Sequence, residues 1–584
     1  MDISNIKFQI EELMTQHLAT ENTVFVESAV KGKILVFQEG LSFWGGVDPD
    51  TGVIIDAHHP DHGASVSGKV VLMPTSRGSC SGSGVLLQLA RNAMAPAALV
   101  FRDAEDILTL GAVIASLLFN SRVAVLRLAP SMYEALSRAD VAEITIDTLK
   151  FCDRSVSLLQ PNKEALKLSA KDQKLLSGED GPAHKIAMEV LCLIAAAQGA
   201  HELIDVSRAH IDGCILAHDA NLDFAEKMQN MGAKTSIPTT INAISVDRKN
   251  WQNQGVAPIF GNKASRLADA YVNMGARPTF TCAPYLLPNA PVHGEAIGWS
   301  ESNAVIFANS VLGARTQKHP DYLDLFIAMT GRAPNTGVYL AKNRVPVCEL
   351  RVELPDKFDD ALWPMLGWLA GIKSPIGIPL LTGLEGLELS QDDLKALCAS
   401  FGTTSAAPML HVRGHTPEGD LSLPEQAAIF DITLIDFVEL WKTFNSTNDK
   451  IDLVAIGSPH ASLAECRKFS DFFIDRNCHP DTETIVTVGR TIYTELMNEG
   501  ILDLFQQAGV KVVSDICWCS ITEPIFPINA KVLITNSGKY AHYGKGLTGR
   551  DVRFGSLEDC ARSALSGYAD IDLPSWLKTQ KMVS

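Results

Sequence analysis

The chain lacks the features that mark secreted and membrane-spanning proteins. Its 12 cysteines are scattered, and none of them forms a CxxC pair or a dense disulfide pattern. No stretch reaches the roughly 18 uninterrupted apolar residues of a transmembrane helix. The first residues, MDISNIKFQIEELM, have no basic segment followed by an apolar core, so no secretory signal is expected. We therefore expect a cytoplasmic protein with free thiols.

Positive charge is also scarce. The sequence has 50 Lys and Arg against 67 Asp and Glu, which gives a net charge of −17. This charge repels the phosphate backbone of nucleic acids, so we expect no nucleic-acid partner. We expect no membrane partner either, because the chain lacks a long apolar stretch. A local basic pocket for a small anionic substrate is still compatible with it. The expected partner is thus a small molecule, bound by a monomer or a small homo-oligomer.

The length and the pattern of apolar runs predict a multidomain α/β protein. A chain of 584 residues corresponds to three or four domains. Short apolar runs, and then helices alternating with strands from Ser79 onward, predict a small β/α domain over residues 1–150, with a polar helix over residues 1–25. The polar stretch 155–185 is interpreted as a linker or an entry helix. A second alternation, which includes a strand over LIDVSRAHI and a helix over TIYTELMNEGILDLFQQAG, predicts a larger catalytic body over residues 151–584.

A segment rich in glycine and serine follows one predicted strand and opens a predicted helix. It reads PTSRGSCSGSGVLLQL from Pro74 to Leu89. Free backbone N–H groups and the positive end of a helix favour an anion there. Arg77 can bind a carboxylate with two hydrogen bonds, and Ser79 and Ser81 add hydroxyl groups. The segment matches neither a Walker loop nor a G-x-S-x-G turn. Spacing alone equally allows a glycine-rich turn with a serine helix cap.

Three cysteines stand where a metal cluster can form. Cys282 lies in the Pro-flanked turn PTFTCAPYLLP, and Cys517 and Cys519 follow a predicted strand in SDICWCS. Ligands of open α/β sheets gather beyond the carboxyl ends of the strands. Soft thiolates suit iron–sulfur clusters, and a cluster with three protein ligands leaves one iron free to act as a Lewis acid. The other cysteines are interpreted as small core residues, above all Cys192 and Cys398.

Several other predicted strands end in polar loops. The side chains in them that can bind a substrate or transfer a proton are His210, Thr239, Thr240, Asn242, Ser300, Glu301, His460, Ser537 and Lys539. Catalytic groups are often carried by loops over a rigid sheet, although each residue taken alone also fits a cap or a turn. The cluster AHHPDHG at residues 57–63 is interpreted as a loop packed beside the Gly/Ser segment rather than as a metal site, because its histidines lack helical spacing.

These segments resemble a known family. LSFWGGVDPDTGVIIDAHHPDHG followed by SGKVVLMPTSRGSCSGSGVLL resembles the small, swivelling part of aconitase X. PTFTCAPY, GEAIGWSESNAVIFANSVLGART, SPHAS and TNSGKYAHYG resemble its large catalytic part, so the resemblance spans residues 25–570. It implies an α/β protein in which a swivel domain is fused to a multi-lobed aconitase-like body. It also implies a hydro-lyase that dehydrates a hydroxy acid with the help of an iron–sulfur centre.

The resemblance further implies a substrate and a cluster. Fused chains resemble cis-3-hydroxy-L-proline dehydratases, whereas two-subunit archaeal forms resemble mevalonate 5-phosphate dehydratases. Two-subunit members tend to carry Gly-Cys-Pro-His where this chain has Ser458 as the second residue. The missing thiol favours a smaller cluster, [2Fe-2S], held by Cys282 and Cys517, with Cys519 as the third ligand.

The resemblance also suggests roles for the polar residues. Ser79 takes the C2 proton, and His210 or Lys539 assists departure of the 3-hydroxyl group. The Gly/Ser segment with Arg77 and Ser81 holds the carboxylate. The predicted substrate-binding residues in the catalytic part are Thr239, Thr240, Asn242, Ser300, Glu301, His460 and Ser537.

Three other functions stay open at the level of sequence. The chain can be a mevalonate 5-phosphate dehydratase, although its fused form and Ser458 disfavour that reading. It can use pyridoxal phosphate, with Lys263 of GNKAS as the Schiff-base lysine. It can also be a non-enzymatic RNA-binding relative of aconitase, which the net negative charge and the lack of a basic stripe disfavour.

Overall fold

The computed structural model describes residues 21–56, 59–77, 79–570 and 572–578. Its strands are, in chain order, β1 Thr23–Val26, β2 Val30–Val36, β3 Val70–Met73, β4 Ala98–Phe101, β5 Ala124–Arg127, β6 Val141–Ile144, β7 Thr148–Phe151, β8 Arg154–Ser157, β9 Leu203–Asp205, β10 Ala209–Ile211, β11 Thr239–Ile241, β12 Gly298–Trp299, β13 Arg332–Pro334, β14 Cys348–Val352, β15 Pro379–Thr382, β16 His411–Val412, β17 Ala428–Ile432, β18 Leu453–Ile456, β19 Glu483–Val488, β20 Val510–Ser514, β21 Val532–Thr535 and β22 Asp551–Phe554.

The α-helices of the described residues lie mostly between these strands. They are α1 Gly82–Arg91, α2 Ile107–Phe119, α3 Pro130–Leu136, α4 Ala170–Ser177, α5 Pro182–Ala197, α6 Asp219–Asn230, α7 Pro258–Asn273, α8 Ser302–Ser310, α9 Leu323–Thr330, α10 Leu362–Lys373, α11 Gln391–Thr404, α12 Leu434–Phe444, α13 Leu463–Asp471, α14 Arg490–Asn498, α15 Ile501–Ala508, α16 Gly538–Thr548, α17 Leu557–Ser566 and α18 Ser575–Lys578. None of the described helices is both long and apolar enough to cross a membrane.

The described residues form two compact units. Unit 1 holds those up to Ile204, together with His218–Phe224 and Pro320–Thr336. Unit 2 holds Asp205–Ala217, Ala225–His319 and the described residues from Gly337 onward.

Unit 1 is built on an eight-stranded sheet in the order β1-β5-β4-β3-β2-β6-β7-β8. Strands β2, β3, β4 and β5 are parallel, and β1 and β6 pair antiparallel at either side of them. The central strands β3 and β4 read VVLM and ALVF, and every residue in them is buried. A strand covered on both faces needs such a continuous apolar run. The boundary predicted at residue 150 falls in β7 and remains a prediction.

Unit 2 contains three sheets whose paired strands are parallel. Their strand orders are β11-β10-β12, β16-β15-β14-β17 and β20-β19-β18-β21-β22. Separate apolar cores lie around the second and the third sheet. Parallel strands joined through helices place all their carboxyl ends at one edge of a sheet, where ligands collect. The predicted α/β class, with a small β/α domain and a larger α/β body, is confirmed.

Four local predictions can be compared with the described residues. The run LIDVSRAHI, predicted as one strand, forms the separate strands β9 and β10. The run TIYTELMNEGILDLFQQAG, predicted as one helix, is broken into α14 and α15 at Gly500, whose φ of 74° is left-handed. The polar stretch 155–185 contains the helix α4, which Ser169 and Asp172 begin with a capping box. The helix predicted over residues 1–25 lies outside the described residues up to residue 20, and its end is wrong because Thr23–Val26 forms β1.

Candidate active site

The candidate site of unit 2 begins where three parallel strands end. Asp212 follows β10, Asn242 follows β11, and Ser300 and Glu301 follow β12. The strands pair side by side, so these residues leave the sheet at the same edge. All four are buried or nearly so, which is uncommon for loop residues with polar side chains.

Glu301 is the centre of a hydrogen-bonded network. Its Oε1 accepts from Lys539 Nζ at 2.8 Å and from the Asn303 amide. Its Oε2 accepts from Asn242 Nδ2 at 3.3 Å, and the same amide donates to the Asp212 carboxylate. The network therefore joins residues that are more than 230 positions apart in sequence, since Lys539 lies in the first turn of α16.

Glu301 and Lys539 form a charged pair that is almost removed from water. Their side chains are 11% and 13% exposed. Burial alone would raise the pKa of Glu301, but the Lys539 ammonium and the hydrogen bonds lower it to about 2. Burial alone would lower the pKa of Lys539, but the Glu301 carboxylate holds it well above its usual value. At neutral pH the site therefore contains a fixed carboxylate and a fixed ammonium group.

The three predicted thiols meet beside this network. Cys282 and Cys517 are buried in a small cluster with Ala243, and Cys519 packs against them. The Cys517 thiol forms hydrogen bonds with both other thiols, and its bond with Cys282 is the main cause that raises its pKa. The hydrogen bond with Cys517, with burial, raises the pKa of Cys519. Cys282 and Cys517 thus come together from turns that are 235 positions apart in sequence.

The thiol cluster has the donor chemistry of an iron–sulfur site. Thiolate sulfur is the usual protein ligand of such clusters, and three thiols lie within one buried patch. As they stand, no three or more His, Cys, Asp or Glu side chains in the described part of the chain form a group that could hold a metal ion. Ser458 Oγ is buried and makes no hydrogen bond to a described residue.

His460 ties both thiol turns together. Its ring Nε2 lies 2.8 Å from the Ile516 carbonyl oxygen, and Nδ1 lies 3.2 Å from Thr281 Oγ1. Its backbone N–H donates to Cys282 Sγ at 3.3 Å. Burial lowers the pKa of His460 to about 4, so the ring is neutral at pH 7. Both ring nitrogens contact protein groups, so in this arrangement His460 connects the two thiol turns.

Three of the remaining residues were predicted to lie in loops after strands, and that placement was wrong: His210 lies within β10, and Thr239 and Thr240 lie within β11. His210 is fully buried in β10, with Nδ1 2.8 Å from Thr240 Oγ1, and burial lowers its pKa to about 3. Thr239 Oγ1 donates to the Ile237 carbonyl at 2.8 Å, which is a local backbone contact. Ser537 caps α16, accepting from the Tyr540 backbone N–H at 3.1 Å and donating to the Ser458 carbonyl.

The Gly/Ser segment belongs to unit 1 and is held more loosely. Ser79 Oγ is half-buried and accepts from the Ser81 backbone N–H at 3.3 Å. Ser81 precedes α1 without a side-chain cap bond. Arg77, 44% exposed, lies 3.1 Å from a Glu39 oxygen and 3.6 Å from an Asp56 oxygen. Its ion pairs with acidic side chains are therefore largely open to solvent.

Helix α1 packs closely against its own unit at Gly84. A Cβ added at Gly84 would lie 3.1 Å from Tyr322 Oη and 3.2 Å from Asn221 Nδ2.

In the histidine cluster at residues 57–63, the buried His59 ring packs edge-on against Phe37, with 5.2 Å between the ring centres, and His62 is exposed. Ala57 and His58 of that cluster, like Gly78 of the Gly/Ser segment, lie outside the described residues.

Three residues of this region had no role predicted from the sequence. Thr281 binds the His460 ring, and the Asp515 carboxylate is paired with Arg490 and is fully buried. The available signal was position, because Thr281 and Asp515 precede the thiols Cys282 and Cys517 by one and two residues. Arg490, at the start of α14, belongs to no motif and had no such signal.

Comparison with known proteins places these features in one family. Four domain profiles match the chain: the aconitase X swivel domain at residues 19–151, the first domain at 165–342, the second at 346–442 and the third at 451–566. A protein of Hypocrea jecorina named cis-3-hydroxy-L-proline dehydratase is 42% identical over 96% of this chain and 97% of its own length. One of the same name from Pseudomonas aeruginosa is also 42% identical, over 96% and 99%.

More distant relatives cover the catalytic part alone. The phosphomevalonate dehydratase large subunit of Methanothermobacter thermautotrophicus is 32% identical over 66% of this chain and 95% of its own length. The crystal structure of Thermococcus kodakaraensis aconitase X in its holo-form superposes with a TM-score of 0.63 at 29% identity, and covers 68% of this chain and 100% of its own. These matches show that the chain belongs to the aconitase X family.

Proposed function

We propose that this protein removes water from cis-3-hydroxy-L-proline and yields Δ1-pyrroline-2-carboxylate. The observation that carries the proposal is the 42% identity to two cis-3-hydroxy-L-proline dehydratases over 96% of the chain and nearly all of their lengths. The phosphomevalonate dehydratase large subunits are less similar, at 32% identity or below, and match about two thirds of the chain. Shared length and identity therefore favour the hydroxyproline reaction.

The reaction needs a base and help for the leaving group. The C2–H bond breaks, its electron pair forms the C2=C3 double bond, and hydroxide leaves C3 and becomes water with a proton. The resulting enamine takes up a proton at C3 and loses the one on nitrogen, which gives the imine product. The substrate carboxylate also needs fixed donors, because orientation of the reacting atoms supplies much of the acceleration.

We assign assistance in the departure of the 3-hydroxyl group to the thiols and the charged pair of unit 2. Cys282, Cys517 and Cys519 would hold an iron–sulfur centre, proposed as [2Fe-2S] because the β18 turn offers Ser458 and no fourth thiol. When bound, that centre supplies a Lewis acid for departure of the 3-hydroxyl group. Lys539 offers a fixed ammonium beside it, and Glu301 keeps that ammonium oriented through the bond of 2.8 Å.

We assign removal of the C2 proton to Ser79. A serine hydroxyl is a weak base unless its alkoxide is stabilised, and a hydrogen bond to the charged form favours that form. The Ser81 backbone N–H already donates to Ser79 Oγ at 3.3 Å, and the start of α1 follows at Gly82. Arg77 is proposed to bind the substrate carboxylate, for which it must leave its exposed partners Glu39 and Asp56.

The proposal includes a reducing compartment, the cytoplasm. All 12 cysteines are free in the structure, including the three adjacent thiols. Such thiols remain reduced in a glutathione-buffered compartment.

The test is an anaerobic assay of the purified protein with two substrates side by side. We expect turnover of cis-3-hydroxy-L-proline, followed as Δ1-pyrroline-2-carboxylate, and none of mevalonate 5-phosphate. Turnover of mevalonate 5-phosphate alone would contradict the proposal. So would silence on both substrates in protein that contains iron and sulfide and binds RNA at physiological salt, since that combination favours a non-enzymatic relative.

A further inference from the structure

The two turns that carry Cys282 and Cys517 share an unusual backbone feature. Phe280 has a φ of 42° and Asp515 a φ of 71°, and each stands two residues before its thiol. A residue other than glycine at positive φ costs conformational free energy and persists only where neighbouring groups hold it there. Both thiol turns therefore depend on contacts made by other elements.

One side chain contacts both of these residues. Arg490 begins α14, directly after the turn that follows β19. Its guanidinium group forms an ion pair with the buried Asp515 carboxylate. The same group lies 5.9 Å from the centre of the Phe280 ring, within the range of a cation–π contact. Arg490 thus links Phe280 and Asp515, the residues that stand two positions before the two thiols.

The surroundings of Arg490 reinforce the link. The Arg248 backbone N–H donates to Asp515 Oδ2 at 3.2 Å, and the Arg248 guanidinium lies 5.7 Å from the Phe280 ring centre. The start of α14 also touches the Cys282 turn. A Cβ added at Gly489 would lie 3.1 Å from Thr281 Oγ1 and 3.2 Å from Thr281 Cβ, so only glycine fits there without displacement.

We propose that Arg490 is a positioning residue that holds the Cys282 and Cys517 turns at a fixed separation and so prepares their thiols to take up iron. Arg490 contacts neither thiol and acts through Phe280 and Asp515. The inference rests on the proposed function in that it takes Cys282 and Cys517 as ligands. Partners that orient metal ligands in this way change metal affinity or activity by about 10–100-fold when they are removed.

The alternative is that Arg490 only stabilises the fold. The two possibilities differ in iron-free protein, where the contact between Cys282 and Cys517 can be measured directly. A thiol-specific oxidant such as diamide joins two touching thiols into a disulfide, and the rate of that step reports how often they meet. A purely structural role changes the unfolding midpoint and leaves this rate unchanged once the protein is folded.

The variants are chosen to avoid a buried carboxylate without a partner. In Arg490→Met with Asp515→Asn, both charges of the pair are removed and the shapes are approximately kept. Phe280→Leu removes the aromatic ring and leaves the ion pair. Arg467→Met is the matched control, since Arg467 pairs with Glu499 at an exposed site on the neighbouring helix α13.

In folded, iron-free protein we expect the Cys282–Cys517 cross-link, quantified by peptide mass spectrometry, to form at least ~10-fold more slowly in the double variant than in wild type and Arg467→Met. Phe280→Leu should fall between them. After anaerobic reconstitution, iron and sulfide per chain should fall in the same order. The inference would be overturned if the double variant and Phe280→Leu both formed the cross-link at the wild-type rate. It would also be overturned if the cross-link in wild type were too slow to detect. If wild type takes up no iron, the proposed ligand role fails, and the cross-link rates still decide the role of Arg490.

A chemical rescue sharpens the result. Arg490 lines a cavity of about 250 Å³ together with Lys249, Tyr493 and Thr494. In Arg490→Ala a small planar cation can therefore enter from this cavity and meet Asp515. We expect millimolar guanidinium to restore cross-linking several-fold toward the wild-type rate, and urea, which has the same shape without the charge, to restore none. Equal effects of guanidinium and urea would overturn the tie to Asp515.

Discussion

The thiol-centred site of unit 2 and the Gly/Ser segment of unit 1 are built in different ways. Around Glu301 and Cys517 most of the named side chains are buried and have protein partners that fix their positions. Ser79 is half-buried and, among the described residues, has one donor at 3.3 Å, and Arg77 is 44% exposed in ion pairs of the kind that contribute little. The first region is preorganised, and the second has groups that are free to be recruited by a substrate. Substitutions in the two regions should therefore impair the protein in different ways.

The largest effect is expected from loss of a thiol. Cys517→Ser should bring turnover below about 1% of wild type, because losing a ligand costs more than the 10–100-fold typical of an outer partner. Iron content should fall with it, as measured by metal analysis after anaerobic purification. The control Cys152→Ser changes an exposed thiol of unit 1 and should keep both values. Full iron content and turnover in Cys517→Ser would remove Cys517 from the ligand set.

A substitution in the Gly/Ser segment should lower the activity and leave substrate binding, iron content and stability nearly unchanged. Ser79→Ala is expected to lower kcat by about 10²–10⁴, the range for removal of a general base, with substrate binding and iron content nearly unchanged. Its unfolding midpoint in urea should match that of Ser137→Ala, a serine of the same unit outside the segment. Iron loss in Ser79→Ala would contradict its assignment as base and would erase the contrast between the regions.

The charged pair of unit 2 should affect stability as well. Glu301→Gln leaves the Lys539 ammonium buried without its carboxylate, which should cost about 3 kcal/mol of unfolding free energy. Adding Lys539→Met should recover part of this loss, as a double-mutant cycle in urea would show. Glu499→Gln breaks an exposed ion pair with Arg467 and should leave the unfolding midpoint unchanged. Independent, additive effects at Glu301 and Lys539 would contradict a preorganised pair.

A smaller effect is expected from pH. His319 is fully buried against Tyr339, and burial lowers its pKa to about 3. The unfolded chain binds this proton below about pH 6.5 and the folded chain does not, so stability is complete above that pH and is lost as pH falls. From pH 6.5 to 5 the loss should be ~2 kcal/mol. His319→Gln should flatten the pH dependence of the urea midpoint, and the exposed His62→Gln should not. Equal slopes in both variants would contradict a buried neutral imidazole.

Local patterns were enough to predict most of the elements that carry the site. The alternation of apolar runs and glycines predicted β3, α1, β4 and α2, because each has one dominant period and clear end signals. The break at Gly500 was missed because an apolar face continues from α14 into α15, and only the left-handed φ separates them. The separate strands β9 and β10 were merged for a similar reason, as the polar residues between them lie in one short turn.

The contacts that make the site could not be predicted from local patterns. Nothing around Cys282 indicates that its thiol meets Cys517, and nothing around Lys539 indicates a bond to Glu301, because no periodicity connects turns more than 200 positions apart. Asn242, Ser300 and Glu301 were predicted to lie in loops after strands, because catalytic groups are often carried by loops over a rigid sheet, and they do follow β11 and β12. The contacts of Arg490 with Asp515 and Phe280 were not predicted, because an arginine at the start of a helix fits many surface roles.

The most direct test of the proposed reaction follows one hydrogen. cis-3-Hydroxy-L-proline carrying deuterium at C2 would be incubated anaerobically with the wild-type protein in ordinary water, and the product analysed by mass spectrometry and NMR. Removal of the C2 proton by an exchanging hydroxyl predicts Δ1-pyrroline-2-carboxylate that has lost both the label and one water. A product that keeps deuterium on C2, or one formed without loss of the 3-hydroxyl group, would contradict the account.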